Sequence, residues 1–227
     1  MEDDTSALRI AVRWITMIIL QSACFFGSAG TFRWPEAWLY LLITYSLSLC
    51  MIVWMKAHNP ALLKERMTFM KKTALPWDKA IMIFALPFYL AMLVIPGLDA
   101  VRYQWSGLPW LVKIFGLIMT AASFALFFVV MRENTYLSRI VEIQKDHKVI
   151  STGPYRYVRH PMYVASNCIF LCLPLALGSL YGLIPSLCMV AVILIRTYRE
   201  DNLLKVELEG YKEYAEKVRY RIIPGIW

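Results

Sequence analysis

Residues 147–163 read HKVISTGPYRYVRHPMY, and the reading of the whole chain turns on them. His147, Lys148, Tyr155, Arg156, Tyr157, Arg159, His160 and Tyr163 crowd around a Gly153-Pro154 turn, between apolar stretches long enough to cross a bilayer. Polar groups at membrane depth are costly unless they are paired or line a wet cavity, so this density marks a candidate functional site.

Outward from that stretch the chain is apolar. Its 227 residues are 59% hydrophobic and 18% charged, with a mean hydropathy of +0.52, which is the composition of an integral membrane protein. The formal charge of +8 does not point to nucleic acid, because the basic residues lie in short segments beside apolar runs, where they set orientation and meet anionic head groups. Membrane lipids are the expected surroundings. Cys24, Cys50, Cys168, Cys172 and Cys188 all fall inside apolar runs without Cys-x-x-Cys spacing, which argues against disulfides and zinc. With His58, His147 and His160 as the only histidines, no metal site is expected.

A spanning helix needs about 20 mostly apolar residues. Six stretches qualify or nearly so: Ile10 to Ala29, Ala37 to Met55, Ala80 to Leu98, Trp110 to Met131, Pro161 to Leu177 and Leu180 to Ile195. The predicted fold is therefore an all-α polytopic membrane helix bundle of about six spans, the last two forming a helical hairpin around Gly178-Ser179. The acidic Glu2, Asp3 and Asp4 and the lack of an A-x-A-like cleavage site predict that the first run is retained as a span. Trp34, Trp38, Trp54, Trp77, Trp105 and Trp110 fall near span ends, as interfacial anchors do. Of the 24 Lys and Arg residues, only Arg33, Arg102 and Lys113 lie on one side of this arrangement. The excess on the other side places both termini and the polar stretch in the cytoplasm.

Asn59 to Met67 has the Asn-Pro start and one-sided apolar pattern of an interfacial helix. Ser138 to Gln144 alternates loosely and contains β-branched residues, which predicts extended chain. Arg159-His160-Pro161 stops any short helix and gives the fifth span a proline in its first turn. At the end of the last span, Arg196 and Glu200 are spaced i, i+4 and share one helix face that can point at the polar stretch. One domain, 1–227, is expected, with four spans in 1–131 and a cofactor-binding and catalytic part in 132–227.

HKVISTGPYRYVRHPMY, then R-x-x-x-E-D at Arg196 to Asp201, Gly210-Tyr211-x-x-Tyr214 and Ile222-Ile223-Pro224, together resemble the isoprenylcysteine carboxyl methyltransferase family. That family belongs to a wider group that includes the phospholipid N-methyltransferases. The resemblance covers Gln144 to Pro224; the first four spans are similar only in hydropathy. It implies S-adenosylmethionine as cofactor, held without a Gly-rich Rossmann loop, and no G-x-G-x-x-G is present. It also implies a cofactor site made of Gln144, His147, Lys148, Val149, Ile150, Tyr155, His160, Pro161, Met162, Tyr163 and Glu200, with Arg196 facing the substrate. Three departures stand out: Ala165 in place of a frequent glycine, Glu200-Asp201 in place of a Glu-Glu pair, and Glu209-Gly210 in place of Phe-Gly.

The chemistry of these residues suits that cofactor. An adenine, a ribose, a cationic sulfonium and a zwitterionic amino acid call for aromatic faces, acceptors and cations. Tyr155 and Tyr163 offer faces, Glu200 an anion, and Arg159 or His160 donors for a carboxylate. Arg196 and Glu200 are the expected catalytic pair. Arg196 can clamp a carboxylate acceptor, which is ionised at neutral pH and needs no base; an amine acceptor needs a proton acceptor, with Glu200 and Asp201 the candidates. The expected activity is methylation of an amphiphilic, membrane-borne acceptor, by carboxyl O-methylation or, alternatively, phospholipid amine N-methylation. A sterol-type reductase using NADPH and a non-catalytic scaffold are more distant alternatives.

Overall fold

In a computed structural model of the chain, residues 7–67, 75–138, 140–141 and 147–227 are described. Regular structure among them is entirely helical: α1 (Ala7–Ala29), α2 (Pro35–His58), α3 (Pro60–Met67), α4 (Pro76–Gly97), α5 (Trp110–Glu133), α6 (Pro161–Leu177), α7 (Leu183–Glu207) and α8 (Tyr211–Lys217). A π-helical turn, Leu98–Arg102, continues α4, and a 3-10 turn, Gly153–Arg156, precedes α6. Proline opens α2, α3, α4 and α6, where its missing N–H would have no partner in the helix anyway.

Four helices are long and apolar enough to cross a membrane: α1, α2, α4 with its continuation, and α5. Their outer faces carry large apolar side chains such as Ile19, Ile83, Phe84 and Ile118, all more than half exposed, which suits contact with lipid rather than water. The chain is thus built as a membrane protein. Beyond those four, α6 is apolar but has only 17 residues. The sixth predicted span and the charged segment after it form one helix, since α7 begins at Leu183 and runs unbroken to Glu207. Arg196 to Glu207 contains good helix formers and no breaker, so nothing stops the helix where hydropathy ends.

The turn between α6 and α7 is closed by Gly178, whose φ of 83° lies in the left-handed region, with Ser179 N–H donating to Pro174 O at 2.8 Å. The α5–α6 pair packs especially closely. A Cβ on Gly116 would lie 2.5 Å from the backbone nitrogen of Ala176, so glycine lets the two backbones meet. The predicted helix after Asn59 is present as α3, with Leu62 and Leu63 buried and Leu62 N–H donating to Asn59 Oδ1 at 3.0 Å. Of the predicted extended run, Ser138, Ile140 and Val141 lie outside any helix, while residue 139 and residues 142–144 fall outside the described residues.

Two apolar clusters divide the interior. Phe25, Trp34, Tyr40, Met92, Leu173 and Leu177 belong to one, and Met55, Leu62, Leu63, Val130, Tyr155 and Tyr214 to the other. The connections α1–α2, α4–α5 and α6–α7 gather at one end. There the buried Asp99 accepts from the hydroxyls of Ser106 (2.7 Å) and Ser179 (2.5 Å) and from Tyr181 N–H (3.2 Å), and Lys113 pairs with Glu36 at 2.7 Å. Arg33, Arg102 and Lys113 belong to this end.

Candidate functional site

The other end holds an open cavity between a roof that includes residues 134–138, 140–141 and 147–150, the start of α6 and the charged part of α7. His147, Lys148, Val149, Ile150, Tyr155, Arg159, His160, Met162, Tyr163, Arg196 and Glu200 all line it. Pro161 is buried at the first position of α6, behind this wall, and fixes where the helix starts. Gln144 lies outside the described residues.

Glu200 is the acidic centre of the cavity. Tyr163 donates its hydroxyl to Glu200 Oε2 at 2.5 Å, and His160 Nδ1 stands 4.0 Å from Oε1. The His160 and Tyr163 rings stack with centroids 5.8 Å apart. In the roof, Tyr136 stacks on His147 at 4.6 Å. The His147 Nδ1 is buried without a hydrogen-bond partner. Burial pushes the His147 pKa below the ordinary histidine value, partly opposed by the Glu200 carboxylate.

Beneath the cavity floor, Asp201 is fully buried and collects the cations around it. Arg159 grips it with Nε to Oδ1 at 2.7 Å and Nη2 to Oδ2 at 2.9 Å, while Arg221 Nε and Lys205 Nζ reach Oδ2 at 2.9 and 2.8 Å. His160 Nε2 and the Tyr211 hydroxyl approach Oδ1 at 3.3 and 3.1 Å. Burial alone would raise the carboxyl pKa of Asp201; hydrogen bonds from His160, Arg159 and Lys205 override it and hold the group far below the usual carboxylate range. Arg159 Nη1 also donates to the carbonyls of Val218 and Arg219, and the backbone N–H groups of Arg159 and His160 donate to Tyr220 O and Arg221 O, each at 2.9 Å. The segment after α8 thereby clamps the Arg-His-Pro corner from behind.

Arg196 lies on the same face of α7 as Glu200, as its spacing predicted, but it is not a bare clamp. Its Nε and Nη2 donate to Asp78 Oδ1 and Oδ2 at 2.8 and 3.2 Å, and its guanidinium carbon lies 5.8 Å from the centre of the Tyr163 ring. Sequence reading missed Asp78 altogether. It also missed Asn134, Tyr136, Leu204, Leu208, Tyr211 and Tyr214 as cavity-lining residues. The Gly210-Tyr211-x-x-Tyr214 block held a signal for the last two: Tyr214 donates to Tyr155 O at 2.7 Å and so braces the turn that carries Tyr155. Among the described residues no group of acidic, histidine or cysteine side chains could hold a metal ion.

Residues 111–208 match the family model described as phospholipid methyltransferase. This segment is similar to the membrane methyltransferase group. The match runs from the second residue of α5 to the residue after α7 and takes in all the cavity-lining residues except Tyr211 and Tyr214. The motifs that resembled isoprenylcysteine carboxyl methyltransferases pointed to the same group. No curated protein matches the chain. The site in this segment is assembled from helix ends, a short turn, an irregular stretch and buried ion pairs, without a sheet among the described residues.

Proposed function

We propose that this protein is an integral membrane methyltransferase that uses S-adenosylmethionine to methylate an amphiphilic acceptor arriving from the bilayer. The cavity end faces the cytoplasm, the whole chain acts as one domain, and residues 132–227 provide the cofactor and catalytic groups. The observation that carries the reading is the meeting of Glu200, His160 and Tyr163 on a single cavity wall within a methyltransferase family segment.

The donor set fits the cofactor. His147 Nδ1 is a buried polar atom awaiting a partner in the roof, and the Tyr136, Tyr155 and Tyr163 rings line the same space. Glu200 suits the ammonium or ribose of the cofactor. Because Arg159 is committed to Asp201 and two carbonyls, the groups left for the amino-acid carboxylate are Lys148, exposed at the mouth, and His147. S-adenosylmethionine, when bound, supplies an electrophilic methyl group. What the chain adds is orientation and exclusion of water, since an in-line displacement gains most from holding its reactants in register.

Arg196 is the cation that favours a carboxylate acceptor, ionised at neutral pH and in no need of a base. The family match favours a second reading, in which the acceptor is a phospholipid amine and the Glu200 carboxylate accepts the proton it sheds. Calorimetry of the purified protein with S-adenosylmethionine and with NADPH tests the function itself: heat with the first alone is expected, and heat with NADPH alone overturns the reading. Base-labile methyl label in a membrane extract separates an ester from a methylated amine.

A further inference from the structure

We infer that Asp78 is a positioning residue of this site, fixing the Arg196 guanidinium from the first turn of α4 and tying it to the cavity roof. The inference rests on the methyltransferase reading above. Asp78 lies outside residues 111–208 and is 118 positions from Arg196, yet it is fully buried and meets that side chain through both oxygens. Its Oδ2 also accepts Val141 N–H at 3.0 Å, so one carboxylate joins α4, α7 and the roof.

The geometry of that junction is specific. A guanidinium presents its Nε and one Nη as a planar fork, and a carboxylate that fills the fork fixes the plane of the whole group. Here the fixed plane lies beside the Tyr163 ring, whose hydroxyl is bonded to Glu200. Asp78 thereby sets Arg196 relative to the Tyr163–Glu200 pair. Asp78 also sits in the first turn of α4, where a helix N-terminus favours a negative charge.

The pair is buried, with the Arg196 side chain 13% exposed and that of Asp78 not at all. Removing the acid takes away the carboxylate that fills the fork and fixes the plane of the guanidinium. The cofactor wall made by Glu200, His160, Tyr163 and His147 does not include Asp78. Loss of Asp78 should therefore be felt in the alignment of the acceptor rather than in affinity for the cofactor. A misplacement of about 1 Å in a displacement reaction costs on the order of 100-fold in rate.

The test compares Asp78→Asn, Asp78→Ala, Arg196→Asp and the double exchange Asp78→Arg with Arg196→Asp, in full-length protein in lipid nanodiscs. Three quantities are read: calorimetric affinity for S-adenosylmethionine, label transfer to a prenylated cysteine or to phosphatidylethanolamine vesicles, whichever the wild type methylates, and phenylglyoxal modification of Arg196 by mass spectrometry. In the Asp78 single variants, affinity should stay within about threefold while turnover falls about 100-fold and Arg196 is modified about tenfold faster. The exchanged pair should regain the melting midpoint lost in Arg196→Asp without regaining turnover, because the guanidinium then projects from α4. Turnover within about threefold of wild type in Asp78→Asn, or its return in the exchanged pair, overturns the inference. Should Asp78→Ala fail to fold, Asp78→Asn and the exchange still decide. A wild type that binds no S-adenosylmethionine sinks the functional reading instead, and unchanged Arg196 reactivity in Asp78→Asn rejects the positioning role by itself.

Discussion

Glu200 Oε1 lies 4.0 Å from His160 Nδ1, and this closeness joins the charged end of α7 to the Arg-His-Pro corner that opens α6. The same carboxylate takes the Tyr163 hydroxyl on its other oxygen, so the N-cap and first turn of α6 share a single anion from α7. Everything proposed about cofactor binding depends on that anion being aimed into the cavity.

Replacing Glu200 tests it directly. Glu200→Gln keeps the shape and an acceptor for Tyr163 but removes the charge offered to an ammonium or ribose. A hydrogen bond to a charged group contributes about 1.5–3 kcal/mol, so affinity for S-adenosylmethionine should fall roughly 10- to 100-fold by calorimetry. Unchanged affinity would remove Glu200 from the cofactor site.

Asp201 should be a residue of stability first. Asp201→Asn would leave Arg159, Arg221 and Lys205 around a neutral group, and removing one partner of a buried charge cluster costs about 3–5 kcal/mol. A large drop in melting midpoint is expected for this variant; a midpoint equal to wild type would contradict the cluster.

The pH dependence of stability follows from the same group. The folded carboxyl of Asp201 titrates far below its unfolded value of 3.8, so its stabilisation is complete above that value and declines as pH falls below it. Melting midpoints attributable to Asp201 should be level from about pH 5 to 8 and fall below about pH 4, and in Asp201→Asn this acid-side fall should be reduced. A wild-type decline centred near pH 6.5 instead would point to histidine as the controlling group.

Close helix packing predicts a further cost. Gly116→Ala gains about 1 kcal/mol of helix propensity but places a methyl 2.5 Å from the Ala176 nitrogen, and overpacking of backbone against backbone costs about 1–3 kcal/mol or more. The clash should win, giving net destabilisation in denaturant titrations. A stabilised Gly116→Ala would show that α5 and α6 are not in such contact.

Orientation can be measured with an impermeant maleimide on sealed vesicles of known sidedness. In a Cys50→Ser background, which removes the one native thiol on the outer face of the bundle, Lys212→Cys should label from the cytoplasmic side and Arg33→Cys from the opposite one. The reverse pattern would turn the protein over and refute the cytoplasmic site.

Much of this architecture was written locally. Hydropathy marks α1, α2, α4 and α5 because a spanning helix must be apolar along its length whatever it packs against, and prolines at residues 35, 76 and 161 mark helix starts for a stereochemical reason equally local. The i, i+4 spacing of Arg196 and Glu200 puts them on one face in any helix, and the HKVISTGPYRYVRHPMY block announced a polar site by its density alone. Hydropathy marks where α7 can leave lipid, whereas the helix runs on through Arg196 and Glu200, as their shared face implied, and stops after Glu207.

Only the tertiary structure decided which charges meet. Asp78 sits alone in its stretch, with no periodicity and no motif, and finds Arg196 because α4 and α7 pack side by side. Asp201 looked like a second acid beside Glu200, a spare proton acceptor, yet a rotation of one residue along α7 turns it into the buried core of the Arg159, Lys205 and Arg221 cluster. That rotation also commits Arg159, a cavity-lining residue, to Asp201. Sequence settles which segments can enter the bilayer, because transfer out of water is paid residue by residue; the pairing of ions depends on distances of a few ångströms between segments far apart in the chain, and those exist only once the helices have packed.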